Sequence, residues 1–243
     1  LHNLKGGVGK TAAAVNIAYL ASAAGYRTLL CDLDPQGSTS FYLRIRPPKG
    51  LKSRTLVKGG KGLRGSVRES DYPDLDVLPA ALSYRRLERD LADAKHSKRR
   101  IGHSFGGFKK WYDLVVLDAP PSIGLEAENL LRTSDLILVP IIPTVLSLNT
   151  LETILRFSEK HRIDRERIVP FVSMADRRKK LHRDFTEALL QEPKNRIKTV
   201  IPYASAVERM GVVREPVVVS SPRSKATVAF RELWKETEFL LAF

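Results

Sequence analysis

The chain alternates between short apolar runs and longer segments with helical periodicity. Near-continuous apolar runs predict strands, and these lie at residues 27–31, 114–117, 136–142 and 168–173. Apolar residues at helical spacing predict helices at residues 11–24, 147–161, 180–191 and 227–241. Apolar strands that alternate with helices are typical of a parallel sheet covered on both sides. The pattern therefore predicts an α/β fold with a mostly parallel central sheet and helices on both faces.

Residues 44–68 interrupt this pattern. The segment holds nine Lys and Arg, no Asp or Glu, two prolines and five glycines. Such a composition predicts a long, mobile, basic loop or insertion that ends at about residue 70. A second basic cluster, which includes Lys98, Arg99 and Arg100, occupies residues 95–110. We predict a single domain over residues 1–243, because this length suits one α/β unit and no internal repeat is visible.

Composition narrows the class of protein. Hydrophobic residues make up 43% of the chain, as in globular proteins, and the apolar runs are too short to predict a transmembrane helix. The single cysteine, Cys31, allows no internal disulfide and argues against a metal cluster, which fits a reducing cytoplasm. Forty-one Lys and Arg against 27 Asp and Glu give a net charge of +14. This balance predicts a polyanionic partner, either nucleic acid or an anionic membrane surface.

The segment from Lys5 to Thr11, with the sequence KGGVGKT, predicts a phosphate-binding loop. Its glycines let backbone N–H groups point at phosphate oxygens, and the helix that follows offers its positive N-terminal end. Lys10 is predicted to reach the β- and γ-phosphates of a nucleotide, and Thr11 to bind Mg²⁺. The ordinary form of this loop has a glycine where Leu4 stands. Because a full strand normally precedes such a loop and only residues 1–3 do so here, we expect the N-terminal strand to be truncated.

Carboxylates follow two of the predicted strands. Asp32 and Asp34 come after the first apolar run, in the sequence DLDPQG, and Asp118 follows the second. The carboxyl ends of strands are where α/β folds place ligand-binding groups. Two carboxylates at such an edge are costly unless they are paired with a cation, although one of Asp32 and Asp34 capping a turn is the alternative. A carboxylate directly after an apolar strand, as at Asp118, is typical of a Mg²⁺ ligand in phosphate-binding folds.

These segments resemble the ParA/MinD family of deviant Walker A P-loop ATPases, and most of all its ParA/Soj-type partitioning ATPases. Lys5 matches the signature lysine of the family, residues 32–36 its D-x-D-P-Q motif, and residues 118–122 its D-x-P-P-S motif. The resemblance implies that Lys5 crosses a dimer interface to contact the phosphates of the partner's ATP. It also implies that Asp34 orients or deprotonates the attacking water and that Asp32 supports the Mg²⁺ shell. A lysine that binds the phosphate of its own nucleotide is the alternative for Lys5.

The resemblance extends over most of the chain, with further matches at residues 73–80, 172–178, 199–202 and 220–226. It implies ATP and Mg²⁺ as cofactors. The implied nucleotide-binding residues are Lys5, Gly6, Gly7, Val8, Gly9, Lys10, Thr11, Ala12, Pro202 and Tyr203. The last two of these would border the adenine. Lys5, Lys10 and Asp34 are the implied catalytic residues, and Thr11, Asp32 and Asp118 are the implied metal ligands.

The same resemblance implies a nucleotide-driven cycle. ATP would join two copies into a homodimer, and the dimer would bind nonspecific double-stranded DNA. A partner protein, either ParB-like or a cargo adaptor, would then stimulate slow hydrolysis and release. Such proteins partition or position a plasmid, a chromosome or a large protein assembly, so we expect a cytoplasmic, nucleoid-associated protein. The candidate DNA contacts are Arg177, Arg178, Lys179, Lys180, Arg209, Arg214, Arg223 and Lys225.

Other functions are compatible with the same loop. A MinD-like membrane-associated ATPase would carry a C-terminal amphipathic anchor. The last predicted helix has an apolar stripe, which consists of Phe230, Leu233, Trp234, Thr237 and Leu241. We expect this stripe to pack on the core, and therefore no membrane partner. A P-loop small-molecule synthetase is a second alternative, against which the Asp-Pro-Gln segment and the basic charge argue. A DNA-binding module without hydrolysis would leave Asp34 and Asp118 unexplained.

Overall fold

The computed structural model describes residues 1–192 and 196–241. The strands in these ranges are β1 Thr28–Asp32, β2 Arg68–Glu69, β3 Leu75–Leu78, β4 Leu114–Asp118, β5 Ile137–Ile141, β6 Ile168–Ala175 and β7 Val200–Pro202. Strands β2, β3, β1 and β4 form one hydrogen-bonded group in that order, and β5, β6 and β7 form a second. Every neighbouring pair is parallel except β2 with β3. The predicted mostly parallel α/β sheet is thus confirmed.

Residues 1–3 connect the two groups of strands. On one side, the Leu1 nitrogen donates a hydrogen bond to Leu117 O (2.8 Å) and Ala119 N donates to Leu1 O (3.2 Å). On the other side, His2 N donates to Leu138 O (3.1 Å). Strands β4 and β5 therefore flank this short segment. The phosphate loop that follows it starts in the middle of the carboxyl edge of the sheet.

Helices surround the sheet. Their bounds are α1 Lys10–Ala23, α2 Ser38–Tyr42, α3 Ser53–Lys58, α4 Gly60–Arg64, α5 Leu87–Ala92, α6 Arg100–Phe105, α7 Leu125–Thr133, α8 Val145–Lys160, α9 Lys180–Gln191, α10 Ser205–Glu208, α11 Met210–Val213, α12 Val217–Ser220 and α13 Lys225–Leu241. Short 3₁₀ turns occupy Leu82–Arg86, Ser97–Arg99, Gly106–Lys110 and Arg165–Arg167. The four helices predicted from the sequence are α1, α8, α9 and α13, and each observed end lies within two residues of its prediction.

Helix α1 is the central helix of the main hydrophobic cluster. Its residues 12–18 are all buried, and it contacts β1, β4 and α13. A helix that is covered on every side needs no polar face, which explains its alanine-rich sequence. Helix α13 contributes Phe230, Leu233 and Trp234 to the same cluster, so its apolar stripe packs on the core as predicted. Among the described residues, no helix is both long and apolar enough to cross a bilayer.

The structure corrects the prediction of a long basic loop at residues 44–68. Residues 44–52 are irregular as predicted, but the rest of the segment forms α3 and α4 and leads into the short strand β2. Its apolar side chains, which include Leu56 and Leu63, are buried in a cluster with Ile101 and Phe105 of α6. The glycines and prolines suggested a loop, but a few apolar residues suffice for short helices when tertiary packing stabilises them.

Candidate nucleotide-binding site

The phosphate loop leads from the segment between β4 and β5 into α1. Gly7 and Gly9 have positive φ angles of 70° and 91°. A Cβ atom added at Gly9 would lie only 2.8 Å from Ser173 Oγ on β6. Position 9 therefore requires glycine both for its backbone conformation and for the close approach of β6. Val8 is buried and attaches the loop to the core.

The side chain of Lys10 lies within the loop. Its Nζ donates a hydrogen bond to the Lys5 carbonyl oxygen over 3.0 Å, and the residue is buried. Burial lowers the pKa of this ammonium group, while the carboxylates of Asp118 and Asp34 act in the opposite direction. Because an ammonium group has three donors, Lys10 is suited to bind phosphate oxygens from this position.

Asp118 occupies the end of β4, directly beside the loop. Its Oδ2 accepts a hydrogen bond from Thr39 Oγ1 over 2.8 Å. Burial raises the pKa of this carboxyl group, and hydrogen bonds from the side chains of Thr39 and Thr11 oppose that rise. The structure thus brings Thr11 and Asp118, both predicted as metal ligands, into contact.

Asp32 occupies the end of β1 and is fully buried. Its Oδ2 accepts two hydrogen bonds from Ser40, one from the backbone nitrogen (2.8 Å) and one from the hydroxyl group (2.7 Å). The Ser40 hydroxyl in turn accepts a hydrogen bond from Ala80 N (3.0 Å). Burial raises the pKa of Asp32 to about 7, and the Asp118 carboxylate adds to this effect against the Ser40 hydrogen bonds.

The two buried carboxylates fit a magnesium ion. Asp32 is opposite Asp118 in the register of β1 and β4, and the Oδ1 atom of each is buried without a hydrogen-bond partner in the described part of the chain. Unpartnered buried carboxylate oxygens are costly unless a cation meets them. Within the described ranges, no three His, Cys, Asp or Glu side chains form a group that could hold a metal. The donor set therefore suits Mg²⁺, which takes one or two carboxylates and completes its shell with water and phosphate oxygens.

Asp34 lies in the turn after β1 and is partly exposed. Its Oδ1 accepts a hydrogen bond from Gln36 N (2.9 Å), and its carbonyl oxygen accepts one from Gly37 N (2.9 Å). The carboxylate is close enough to Lys10 to oppose the lowering of the pKa of that ammonium group by burial. Asp34 therefore does cap a turn, and the same turn holds its carboxylate beside the phosphate loop.

Lys5 has a fixed backbone and an exposed side chain. Its backbone nitrogen donates to Asn3 Oδ1 (2.9 Å), and Asn3 Nδ2 donates to Pro140 O of β5 (2.8 Å). The side chain of Asn3 therefore connects the loop to the neighbouring strand. Asn3 is a site residue that sequence reasoning missed, because a single asparagine before the loop carries no recognisable pattern.

Other polar residues at the site were also missed. Thr39 and Ser40 bind the two metal-site carboxylates from helix α2, and Ser173 meets the loop from β6. A further buried acid, Glu126 in the first turn of α7, has its Oε1 buried without a hydrogen-bond partner among the described residues. Burial raises the pKa of Glu126 to about 8, with the nearby carboxylates of Glu88 and Asp34 adding to the effect.

Pro202 and Tyr203 lie at the carboxyl ends of the outer strands β6 and β7, on the same edge of the sheet as the phosphate loop. Pro202 ends β7, and Tyr203 N donates to Ala175 O at the end of β6 (3.0 Å). The exposed Tyr203 ring has its hydroxyl bonded to Glu208. Their contact with the adenine stays a prediction.

The residues expected to contact DNA differ in their surroundings. Arg178 forms two hydrogen bonds with the carboxylate of Asp176, both 2.9 Å long. The Arg214 guanidinium group stacks 4.6 Å from the centre of the Phe41 ring and donates to Phe41 O. The remaining candidates are exposed, and they are Arg177, Lys179, Lys180, Arg209, Arg223 and Lys225. Arg214 thus has a structural contact that sequence reasoning did not anticipate.

The fold and the site define a P-loop nucleotide-binding domain. Residues 1–168 match the model of a family described as AAA domain. The chain is 28% identical over 241 residues to the sporulation initiation inhibitor protein Soj of Bacillus subtilis (strain 168), covering 96% of this chain and 95% of that protein. It is 30% identical over 231 residues to the cell division protein PomZ of Myxococcus xanthus (strain DK1622), covering 92% of this chain and 72% of that protein. The chain therefore belongs to this AAA-domain family, as a member of the ParA/MinD family of P-loop ATPases.

A solved structure shares the fold at lower sequence identity. Cobyrinic acid a,c-diamide synthase from Mycobacterium smegmatis, with bound ATP analogue and magnesium, is similar with a TM-score of 0.78. The similarity covers 96% of this chain and 90% of that chain at 23% identity, which shows the fold alone.

Proposed function

We propose that this protein is a Mg²⁺-dependent ATPase that forms a homodimer across ATP, binds nonspecific double-stranded DNA in that state and positions a cargo. The cargo would be a plasmid, a chromosome or a large protein assembly, and a ParB-like protein or cargo adaptor would stimulate hydrolysis. The observation that carries this proposal is the pair of buried carboxylates beside the phosphate loop, in a chain similar to Soj over nearly its full length. A cytoplasmic, nucleoid-associated location is part of the same proposal.

Nucleotide binding would use the loop and the first turn of α1. The backbone N–H groups of the loop and the positive end of the helix stabilise phosphate oxygens. Lys10 would exchange the Lys5 carbonyl oxygen for the β- and γ-phosphates, so that its buried ammonium group is bonded before and after nucleotide entry. Thr11, Asp118 and Asp32 would hold Mg²⁺, which supplies positive charge to the phosphates when bound.

Asp34 is positioned to act on the attacking water. Its carboxylate is oriented by the backbone of the turn after β1 and lies within the electrostatic reach of Lys10. Such a carboxylate orients a water molecule or accepts its proton. Phosphoryl transfer depends on positioning and charge neutralisation more than on covalent chemistry. We therefore expect the loss of Asp34 to stop turnover and to leave nucleotide binding intact.

Lys5 supports the dimeric part of the proposal. Asn3 fixes its backbone, whereas its side chain is exposed at the head of the loop. An ammonium group in that position is suited to neutralise the phosphates of a nucleotide held by a second copy of the chain. Such a contact requires the phosphate loops of the two copies to face each other.

The test is DNA binding by the Asp34→Ala variant with ATP or ADP across a salt series. We expect tight, salt-sensitive binding to duplex DNA with ATP only, together with an ATP-dependent dimer in light scattering. The Asp135→Ala variant, which removes an exposed carboxylate before β5, is the control and should hydrolyse ATP normally. Lys5→Ala should bind ATP as a monomer. Equal or absent DNA binding with both nucleotides would exclude the DNA switch and leave the ATPase in place.

The same preparations separate the alternative functions. A membrane-associated ATPase would sediment with anionic liposomes in ATP, but the C-terminal apolar stripe is packed in the core and does not support this. A small-molecule synthetase would consume ATP only with an acceptor molecule present and would not respond to DNA. Turnover that is stimulated by DNA and a protein partner supports the positioning ATPase.

A further inference from the structure

The two basic segments of the sequence form one packed unit. Helices α3 and α4 of the first segment contact each other, and α3 contacts α6 of the second. Arg100 Nε and Ser104 Oγ both donate to Val57 O at the end of α3 (2.6 and 2.9 Å). A Cβ atom added at Gly59 would lie 2.8 Å from Ser104 Cα, so the two segments are in close contact. We call α3, α4, α6 and the turns Ser97–Arg99 and Gly106–Lys110 the basic lobe.

The two basic segments account for the net charge of the whole protein, and nine of their Lys and Arg lie in the basic lobe itself. Residues 44–68 and 95–110 together contain 15 Lys and Arg and no Asp or Glu. The other 202 residues therefore carry 26 Lys and Arg against 27 Asp and Glu, and they are nearly neutral. The excess positive charge is thus concentrated in these two segments, and the basic lobe, which contains no Asp or Glu, is the surface where a polyanionic partner should bind.

Most of this charge is exposed and unpaired. The exposed basic residues of these segments that lie in or next to the basic lobe are Lys52, Arg54, Lys58, Lys61, Arg64, Lys95, Lys98, Arg99, Lys109 and Lys110. Arg54 pairs with Asp90 (3.3 Å) and Lys98 with Glu128 (3.9 Å). The other eight have no carboxylate partner within ion-pair distance in the part of the chain that the structure describes.

We propose that the basic lobe is the surface that binds the phosphate backbone of duplex DNA, an inference that rests on the DNA binding of the proposed function. Lys and Arg side chains without acidic neighbours bind phosphates through charge and counterion release, independently of base sequence. The lobe also presents these side chains from a fixed base, because Arg100 and Ser104 brace α3. This surface is different from the candidate DNA contacts that were chosen from the sequence.

The apolar residues of the lobe favour nucleic acid over a membrane. A basic surface that binds a bilayer normally exposes an apolar face as well. In the basic lobe, Leu56, Leu63, Ile101 and Phe105 are buried against the core. No large exposed hydrophobic side chain is found within residues 44–68 or 95–110, all of which the structure describes. Trp111 follows the second segment and borders a different pocket, which is lined by acidic residues.

The test compares two variants that each lose four positive charges. The lobe variant carries Lys58→Gln, Lys61→Gln, Arg64→Gln and Arg99→Gln. The control variant carries Arg177→Gln, Lys179→Gln, Lys180→Gln and Lys225→Gln, which are exposed outside the lobe. Fluorescence anisotropy with a labelled random-sequence duplex in Mg-ATP gives Kd as a function of salt. Circular dichroism and basal ATP turnover verify that both variants are folded.

We expect a large loss of affinity in the lobe variant only. If two of its four residues contact phosphates, the slope of log K against log salt becomes shallower by about 1.8, and Kd at 0.1 M salt rises about 60-fold. The control should change Kd less than about threefold. A wild-type protein that does not bind duplex DNA in ATP would overturn the DNA part of the proposed function and this inference with it. If the wild type binds duplex DNA and the lobe variant binds it equally well, the inference alone is overturned. The inference is also overturned if the lobe variant loses binding to phosphatidylglycerol vesicles but keeps its binding to DNA.

Discussion

The buried acid Glu126 should make a contribution to stability that falls as pH rises. Its Oε1 has no hydrogen-bond partner among the described residues, and Glu88 is a nearby like charge. The folded state retains a proton up to a pKa of about 8, whereas the unfolded chain releases it near the ordinary value of 4.5. Because the folded state binds more protons in that interval, the contribution of Glu126 to stability is greatest below pH 4.5, falls between pH 4.5 and 8, and is level above pH 8.

The magnitude follows from the same two values. Each pH unit of the interval corresponds to about 1.4 kcal/mol, so an ionised Glu126 destabilises the fold by about 4–5 kcal/mol. The Glu126→Gln variant has no charge to bury, although its amide group costs about 1–3 kcal/mol where it lacks a partner. We therefore expect a net gain of about 2 kcal/mol at pH 8, which raises Tm by about 4–8 °C in a protein of this size.

The assay is thermal unfolding of both proteins between pH 5 and pH 9. The difference in Tm between the variant and the wild type should grow as pH rises and level off near pH 8. Glu159→Gln, which changes an exposed acid on α8, is the matched control and should follow the wild type. Parallel curves for Glu126→Gln and the wild type, or a variant that is less stable at pH 8, would refute this reasoning.

Two further predictions concern the loop and the lobe. Gly9→Ala places a Cβ atom 2.8 Å from Ser173 Oγ at a left-handed backbone position, so it should weaken nucleotide binding strongly in calorimetry. A double variant with Ser173→Ala should recover only part of the affinity, because the remaining backbone strain of about 1–2 kcal/mol corresponds to a loss of about 5–30-fold; full recovery would show that position 9 carries no backbone strain. Leu56→Ala should lower the free energy of unfolding by about 2–5 kcal/mol in urea titrations and should weaken DNA binding. The control Leu82→Ala, which changes an exposed side chain, should do neither. An unchanged unfolding midpoint for Leu56→Ala would show that α3 is not packed as described.

Strands with a continuous apolar run and helices with several turns of hydrophobic period could be predicted from the sequence, and the short helices could not. Helices α8, α9 and α13 each have several turns of amphipathic pattern, which fixed their ends closely. Helices α3 and α4 have five or six residues and depend on contacts with α6. Because isolated helices of that length are unstable, their local sequence carries little signal. The glycines at residues 59–65 therefore favoured the wrong interpretation.

The sequence patterns pointed to the charged residues of the candidate site, but they did not indicate how these residues are arranged. The phosphate loop, Asp32 and Asp118 have recognisable sequence patterns. That Asp32 faces Asp118 depends on the pairing of β1 with β4, which is set by the tertiary fold. Thr39 and Ser40 are ordinary polar residues in a short helix, and only the fold brings them to the ends of two strands.

The Ser40 hydroxyl group is held in one orientation by its two neighbours. Ala80 N–H occupies one of its lone pairs, so its proton is directed at Asp32. A dipole that is already aligned with a carboxylate requires little reorganisation when the charge state of the carboxylate changes. The Ser40 hydroxyl group would therefore keep its orientation if a metal ion bound or left at Asp32. Slow turnover in such a site would reflect the chemical step or partner access, not the repeated rebuilding of its polar environment.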